Sequence, residues 1–144
     1  MKTRLYSPQD YQTALDWWHI REHPEVPSVI LPRCGVVVEA TAGPQDGDPL
    51  MIGWLYLDNS VGVAMLAFMI GNPHSTTRTA AMALQHLAEC ARQVAAELGY
   101  PVLLVTAKES VSRFLGRHGF TKTSGEPHFH LMKVTPRPTT GGIR

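Results

Sequence analysis

The sequence predicts an α+β domain, an α/β three-layer arrangement built on one mixed, mostly antiparallel sheet. Three observations lead there. Val63–Ile70 is almost wholly apolar and is bounded by Gly62 and Gly71, which suits a strand buried on both faces. From Ala80 the apolar positions fall at 80, 84, 87, 88, 91, 94, 95 and 98, the stripe of a long amphipathic helix, and Gly99 stands where a helix of this kind stops. Pro101–Thr106 is a second buried strand, parallel to the first because a helical crossover separates them.

The remaining elements can be read in chain order. Thr3–Tyr6 is a short strand. Ser7-Pro8-Gln9-Asp10 is a helix start, with Ser7 at the N-cap, Pro8 at the first helical position and Asp10 as the capping-box acid. Tyr11, Ala14, Leu15 and Trp18 share one face, so the first helix is expected over about Pro8 to Glu22. His23-Pro24-Glu25-Val26-Pro27 ends it and opens a proline-stiffened connection to Leu31-Pro32. Gly35–Ala40 is a strand, Thr41–Pro49 a hairpin loop, and Leu50–Leu57 the next strand, with Gly53 as a candidate bulge and Trp54 and Tyr56 on one face. Asp58-Asn59-Ser60 turns the chain into Val63–Ile70 and completes a meander. After Thr106 come a short helix over Ser110–Arg117 and a closing hairpin from Gly119-Phe120 to about Val134. Residues 1–134 are thus expected to form a single domain, and Thr135–Arg144, with two prolines and two glycines, a flexible tail.

The totals narrow the function. A net charge of +1 and no Lys/Arg run give no electrostatic case for nucleic acid or an anionic membrane as partner. No cleavable signal and no membrane-length apolar run is visible, so a cytoplasmic protein is expected. Cys34 and Cys90 have no paired spacing and read as small core residues in a reducing compartment.

Candidate chemistry concentrates in the loop Ser75–Ala81. Ser75, Thr76 or Thr77 can cap the long helix, and the unsatisfied N–H groups at its positive end make an anion site; the plain alternative is a capped helix start. His19 and His23 share a helical face and His128 and His130 a strand face, but no acidic or cysteine ligand joins either pair, so no metal is expected. A histidine also suits an amine-deprotonating base. Glu39, closing its strand, is a second candidate base. Trp17 and Ile20 form another apolar strip on the first helix, which is a second packed face, a wall of an acceptor pocket or a homodimer surface. Ser75 and Cys34 stand in no nucleophile signature, so covalent catalysis is not expected.

The segment Val111-Ser112-Arg113-Phe114-Leu115-Gly116-Arg117-His118-Gly119-Phe120 resembles the A-x-x-F-Y-x-K-x-G-F segment of the GNAT superfamily of acyl-CoA-dependent N-acetyltransferases. The element order and the strand–loop–helix unit Val63–Leu98 agree, and the likeness covers about Met1 to Val134. Trp17-Trp18…Arg21…Pro24…Pro27…Leu31-Pro32…Gly35, with Asn72-Pro73, resembles a subgroup common in bacteriophage genomes.

The resemblance implies a GNAT-like fold with splayed central parallel strands, acetyl-CoA as co-substrate, no metal, and direct attack by a primary amine on a small molecule or peptide. In that superfamily a Q/R-x-x-G-x-G/A loop holds the coenzyme A pyrophosphate, and the matching register here is Thr76-Thr77-Arg78-Thr79-Ala80-Ala81. Ala81 fits, whereas Thr76 and Thr79 depart, the latter placing a side chain where glycine lets phosphate approach. The implied cofactor-binding residues are Phe68, Met69 and Ile70 on the strand, Ser75, Thr76, Thr77, Arg78, Thr79, Ala80 and Ala81 in the loop, and Lys108, Val111 and Phe114 beyond it. Lys108 replaces a family asparagine, and the tyrosine that serves many members as general acid falls at Leu115. The catalytic groups are therefore open, with Ser112 and His118 in the same segment as candidate donors, Glu39 as candidate base, and Trp17 and Ile20 toward the acceptor. The other reading is a degenerate member that binds acyl-CoA or a protein partner.

Overall fold

The computed structural model describes residues 1–123 and 128–134, without the side chains of 109, 110, 122 and 128–133. The tail expected over 135–144 lies outside the described residues, as do the side chains of His128 and His130. The elements are β1 (Lys2–Leu5), α1 (Asp10–Ile20), β2 (Gly35–Glu39), β3 (Pro49–Asp58), β4 (Val63–Gly71), α2 (Thr77–Leu98), β5 (Val102–Ala107), α3 (Glu109–Arg117), β6 (Thr121–Lys122) and β7 (His128–Lys133). This is the expected order. The strands pair in the order β1-β2-β3-β4-β5-β7-β6. β4 and β5, joined through α2, run parallel, while β1–β2, β2–β3, β5–β7 and β6–β7 run antiparallel.

Two compact units divide the chain: Met1–Leu55 with Ala67–Cys90, and Tyr56–Leu66 with the chain from Ala91 on. In the first, α1 starts at Asp10 rather than Pro8. The Asp10 and Tyr11 N–H groups bond the carbonyls of Ser7 and Pro8 at 2.9 and 3.2 Å, so the first turn closes three residues back before regular helix begins. Gln9 takes the N-cap position in place of Ser7 and no side chain caps the helix; of the expected capping box only the bond from the Ser7 N–H to Asp10 Oδ2 forms, at 2.8 Å.

Trp17 and Trp18 are both buried, so α1 packs on two sides while Ile20 is exposed. Trp18 stacks on Trp54 at 5.7 Å between ring centroids, and Tyr6 meets Trp54 edge-on at 5.2 Å. Gly35 is there for space: a Cβ would stand 2.9 Å from the Tyr6 Cβ and 3.2 Å from Trp54 Cδ1. The bulge does not fall at Gly53, which pairs regularly with Val36. The register slips instead between Val38 and Glu39, opposite Pro49, whose missing N–H prevents a regular ladder at the hairpin end.

Arg4 ties three elements together. Its guanidinium donates to both Asp10 oxygens at 2.8 and 2.7 Å and to Glu39 Oε2 at 2.9 Å. Hydrogen bonding from Arg4 holds the Asp10 carboxyl below its ordinary range against the opposing effect of burial, and Asp10 and Glu39 together push the Arg4 value up.

In the second unit, Leu103, Val105, Leu115 and Phe120 are buried, and β5 pairs with β7 along its whole length. The end of α2 is closed as the sequence predicts. Gly99 has φ +83°, the Tyr100 N–H reaches the Ala95 carbonyl at 2.9 Å, and the Gly99 N–H reaches that of Ala96 at 3.2 Å, the bonding of a Schellman cap. Among the described residues no helix is long and apolar enough to cross a membrane, and no group of three or more His, Cys, Asp or Glu side chains could hold a metal.

Candidate functional site

The first unit carries the end of β4, the loop after it and the start of α2. Along β4 the side chains of Ala64, Leu66, Ala67 and Ile70 are buried. The parallel register with β5 runs from Val63↔Val102 to Leu66↔Val105 and stops there. Two residues on, Phe68 takes φ +55°, a left-handed conformation that costs a bulky residue roughly 1–3 kcal/mol. Its side chain is 41% exposed.

Gly71 closes the strand, and Asn72 fixes the course of the next loop. The Asn72 N–H donates to the Leu50 carbonyl at 2.9 Å and its Nδ2 to the Pro49 carbonyl at 3.2 Å, while its Oδ1 accepts the His74 N–H at 2.9 Å. Asn72 thus anchors the loop to β3 and starts the turn, and Pro73 keeps the strand from continuing.

The cap on α2 is Thr76. Its Oγ1 accepts the Thr79 N–H at 3.1 Å and donates to the Thr79 Oγ1 at 3.0 Å, and its carbonyl takes the Ala80 N–H at 2.9 Å. The two departures from the glycine-containing loop pattern are therefore one feature: Thr76 and Thr79 bond each other across the first turn. The N–H groups of Thr77 and Arg78 have no partner among the described residues, and Arg78 is exposed beside them. Two unpaired donors at the positive end of a 22-residue helix, with a cation alongside, could hold an anion such as a phosphate.

The second unit carries the other expected residues. Lys108 caps α3 through its carbonyl, which accepts the Val111 and Ser112 N–H groups at 3.0 and 2.9 Å, and its side chain is exposed. Val111 and Phe114 are half-buried and Ser112 is buried. The His118 ring lies 4.3 Å from that of Phe114, one helical turn away. Leu115, where the resemblance leads one to expect a tyrosine, is fully buried and carries no proton to give. Glu39, in the first unit, has its carboxylate taken up by Arg4 and by Lys2 Nζ at 3.7 Å. Burial pushes the Cys34 thiol up, with Cys90 adding to the effect; both cysteines are free thiols, and both are half-buried where core positions were expected.

No protein-family model and no curated protein matches the chain. Solved structures do. A GNAT superfamily phosphinothricin acetyltransferase from Sinorhizobium meliloti, in complex with AcCoA, is similar with a TM-score of 0.71 at 11% identity, over 97% of this chain and 94% of that one. Aminoglycoside 6'-acetyltransferase type Ii is similar with a TM-score of 0.71 at 12% identity, over 96% of this chain and 100% of that one. The fold is the GNAT acyl-CoA N-acyltransferase fold.

A third GNAT-fold neighbour is N-acetylglutamate synthase from Neisseria gonorrhoeae, complexed with coenzyme A and N-acetyl-glutamate, with a TM-score of 0.62 at 15% identity over 92% of this chain. The chain spans about a third of that protein's length, 35%.

Two features of this region could not be read from the sequence. One is the left-handed backbone at Phe68, because nothing in an apolar run marks which residue breaks the pleat. The other is Arg21 at the end of α1, whose Nε donates to the Gly71 carbonyl at 3.2 Å, fifty residues away. Its spacing from α1 gives no hint of that partner.

Proposed function

We propose that this chain is an acetyl-CoA-dependent N-acetyltransferase acting on a primary amine by direct attack. The observation that carries the reading is the start of α2, where Thr76 and Thr79 cap the helix and leave the Thr77 and Arg78 N–H groups for the pyrophosphate of the cofactor. Ser75, Ala80 and Ala81 shape the rest of that cradle, and Phe68, Met69 and Ile70 on the preceding strand carry the acyl arm, with a backbone N–H there polarising the thioester carbonyl. Ile20, exposed at the end of α1 where Trp17 is buried in packing, faces the acceptor in this reading.

The amine nitrogen forms its bond to the carbonyl carbon, the carbon–sulfur bond breaks, and the thiolate takes up the proton that the amine gives. Leu115 cannot supply that proton. A coenzyme A thiol near the roughly 8.5 of an ordinary thiol leaves without full protonation, so water suffices at reduced rate. General acid catalysis supplies about 10²–10⁴-fold, which makes the enzyme slow rather than inactive.

Leu115 also favours a second reading, a degenerate protein that binds acyl-CoA without turning it over. Isothermal titration with acetyl-CoA and coenzyme A, then acetyl transfer to a broad amine panel, separates the two. Binding with transfer supports the enzyme, binding alone supports the degenerate reading, and absence of binding rejects both.

A further inference from the structure

We infer that Arg21 is a specificity determinant that anchors a carboxylate on the amine acceptor, an inference that rests on the acyltransferase reading above. Arg21 caps the C-terminal end of α1, and its Nε–H donates to the carbonyl of Gly71, the last residue of β4. That carbonyl is a fixed support, because the next residue, Asn72, is bonded to Leu50 and Pro49 on β3. Arg21 Nη2 lies close to the strand end as well, 3.7 Å from where a Cβ on Gly71 would stand, an ordinary van der Waals distance. The guanidinium is therefore tied to the strand end through Nε, which leaves its two Nη groups for other partners.

Those groups have no hydrogen-bond partner among the described residues, and no described carboxylate pairs with Arg21. The acids next to it in sequence do not neutralise it. Glu25 is bonded to His19 at 2.9 Å, and Glu22 makes no described ion pair. Arg4, by contrast, has its guanidinium filled by Asp10 and Glu39. A permanently charged planar fork with its paired donors open matches a carboxylate two-pronged, better than it matches a neutral or cationic group.

Its position makes the acceptor the natural ligand. Gly71 comes directly after Phe68–Ile70, the acyl-holding stretch, so about 3–10 Å of extended strand separates the anchored guanidinium from the reacting carbonyl. An amino acid or short peptide with its own carboxylate spans that distance and places its amine at the thioester. The phosphate cradle lies further on, at Thr77 and Arg78, and serves the cofactor.

The test has two arms. In the first, acetyl transfer by wild type and Arg21→Gln is measured on matched amines: amino acids, their carboxamides, and phosphoethanolamine. Wild type is expected to favour the acids over the amides by about 10- to 100-fold in kcat/KM, from the strength of a charge-assisted pair. Arg21→Gln removes that preference while the amides and the acetyl-CoA Kd change less than about twofold, and Arg21→Lys restores part of it. Equal losses on acids and amides, a preference for phosphoethanolamine, or weakened acetyl-CoA binding each overturns the inference. The second arm does not need turnover. The Arg21 Nε–H resonance, assigned by its absence from Arg21→Gln, is monitored while sodium acetate is added to the protein in parallel with sodium chloride. A saturable shift with acetate alone supports the carboxylate anchor even if the chain transfers no acetyl group, and identical responses to both salts reject it.

Discussion

Replacing Asp10 by asparagine keeps the shape of the side chain and removes the charge at the centre of the Arg4 network. The wild-type carboxylate accepts two bonds from Arg4 at 2.7 and 2.8 Å, the Ser7 N–H at 2.8 Å and the Ser7 hydroxyl at 3.3 Å, with its side chain 11% exposed. In the variant one oxygen becomes an NH₂ group facing an arginine donor, and the bonds that remain lose their charge assistance. Breaking a fully buried pair costs roughly 3–5 kcal/mol. Here Arg4 is 38% exposed and keeps Glu39 at 2.9 Å, so about 2 kcal/mol is expected. At a urea slope of about 2 kcal/mol/M that lowers the midpoint by about 1 M at pH 7, read by circular dichroism. The pH dependence gives the sign. The folded Asp10 carboxyl lies below its unfolded value of about 3.9, so its stabilisation is complete well above that value and is lost as pH falls through it toward the folded one. The gap between wild type and Asp10→Asn should therefore be constant above about pH 5 and narrow below it. A gap of the same size at pH 7 and pH 3 would mean that the loss comes from packing and not from charge.

Arg78→Glu should weaken acetyl-CoA binding several-fold in low salt, with the difference shrinking as ionic strength passes about 0.1 M, where exposed charges are screened within about 10 Å; titration calorimetry at two salt concentrations reads it. Gly35→Val puts a branched side chain where even a Cβ stands 2.9 Å from Tyr6, and overpacking of about 1–3 kcal/mol should lower the melting temperature by roughly 5 °C. Leu115→Ala empties a fully buried site and should cost about 2–5 kcal/mol by urea denaturation, and acetyl-CoA affinity should survive in the fraction that stays folded.

The element order was legible because each element carries its own local signal. The α2 stripe ends at a glycine that adopts φ +83°, and the expected parallel pairing of β4 and β5 across α2 is present. The features that could not be read depend on partners distant in sequence. The hairpin irregularity sits across from Pro49 rather than at Gly53, since a glycine inside a strand marks only a permitted bulge, whereas a proline forces the ladder to give way. The choice among Ser75, Thr76 and Thr77 as cap was open locally and is decided by which hydroxyl meets the Thr79 N–H. Trp17 was ambiguous because a buried second face and an exposed apolar strip look alike along one helix; burial separates it from Ile20. Arg21 and Gly71 meet only through the tertiary fold.

The tryptophans have a practical consequence. All three in the chain, Trp17, Trp18 and Trp54, are buried, and all three fall within Met1–Leu55. Intrinsic emission is therefore a gauge of the first unit alone, whereas the helical ellipticity of α2 and α3 draws on both. If the two signals trace a single superimposable curve on heating, the units share one cooperative transition. If emission shifts first, the unit that carries the loop Ser75–Ala81 opens while the other still holds its helices, and a cofactor that binds there would pull the two curves back together.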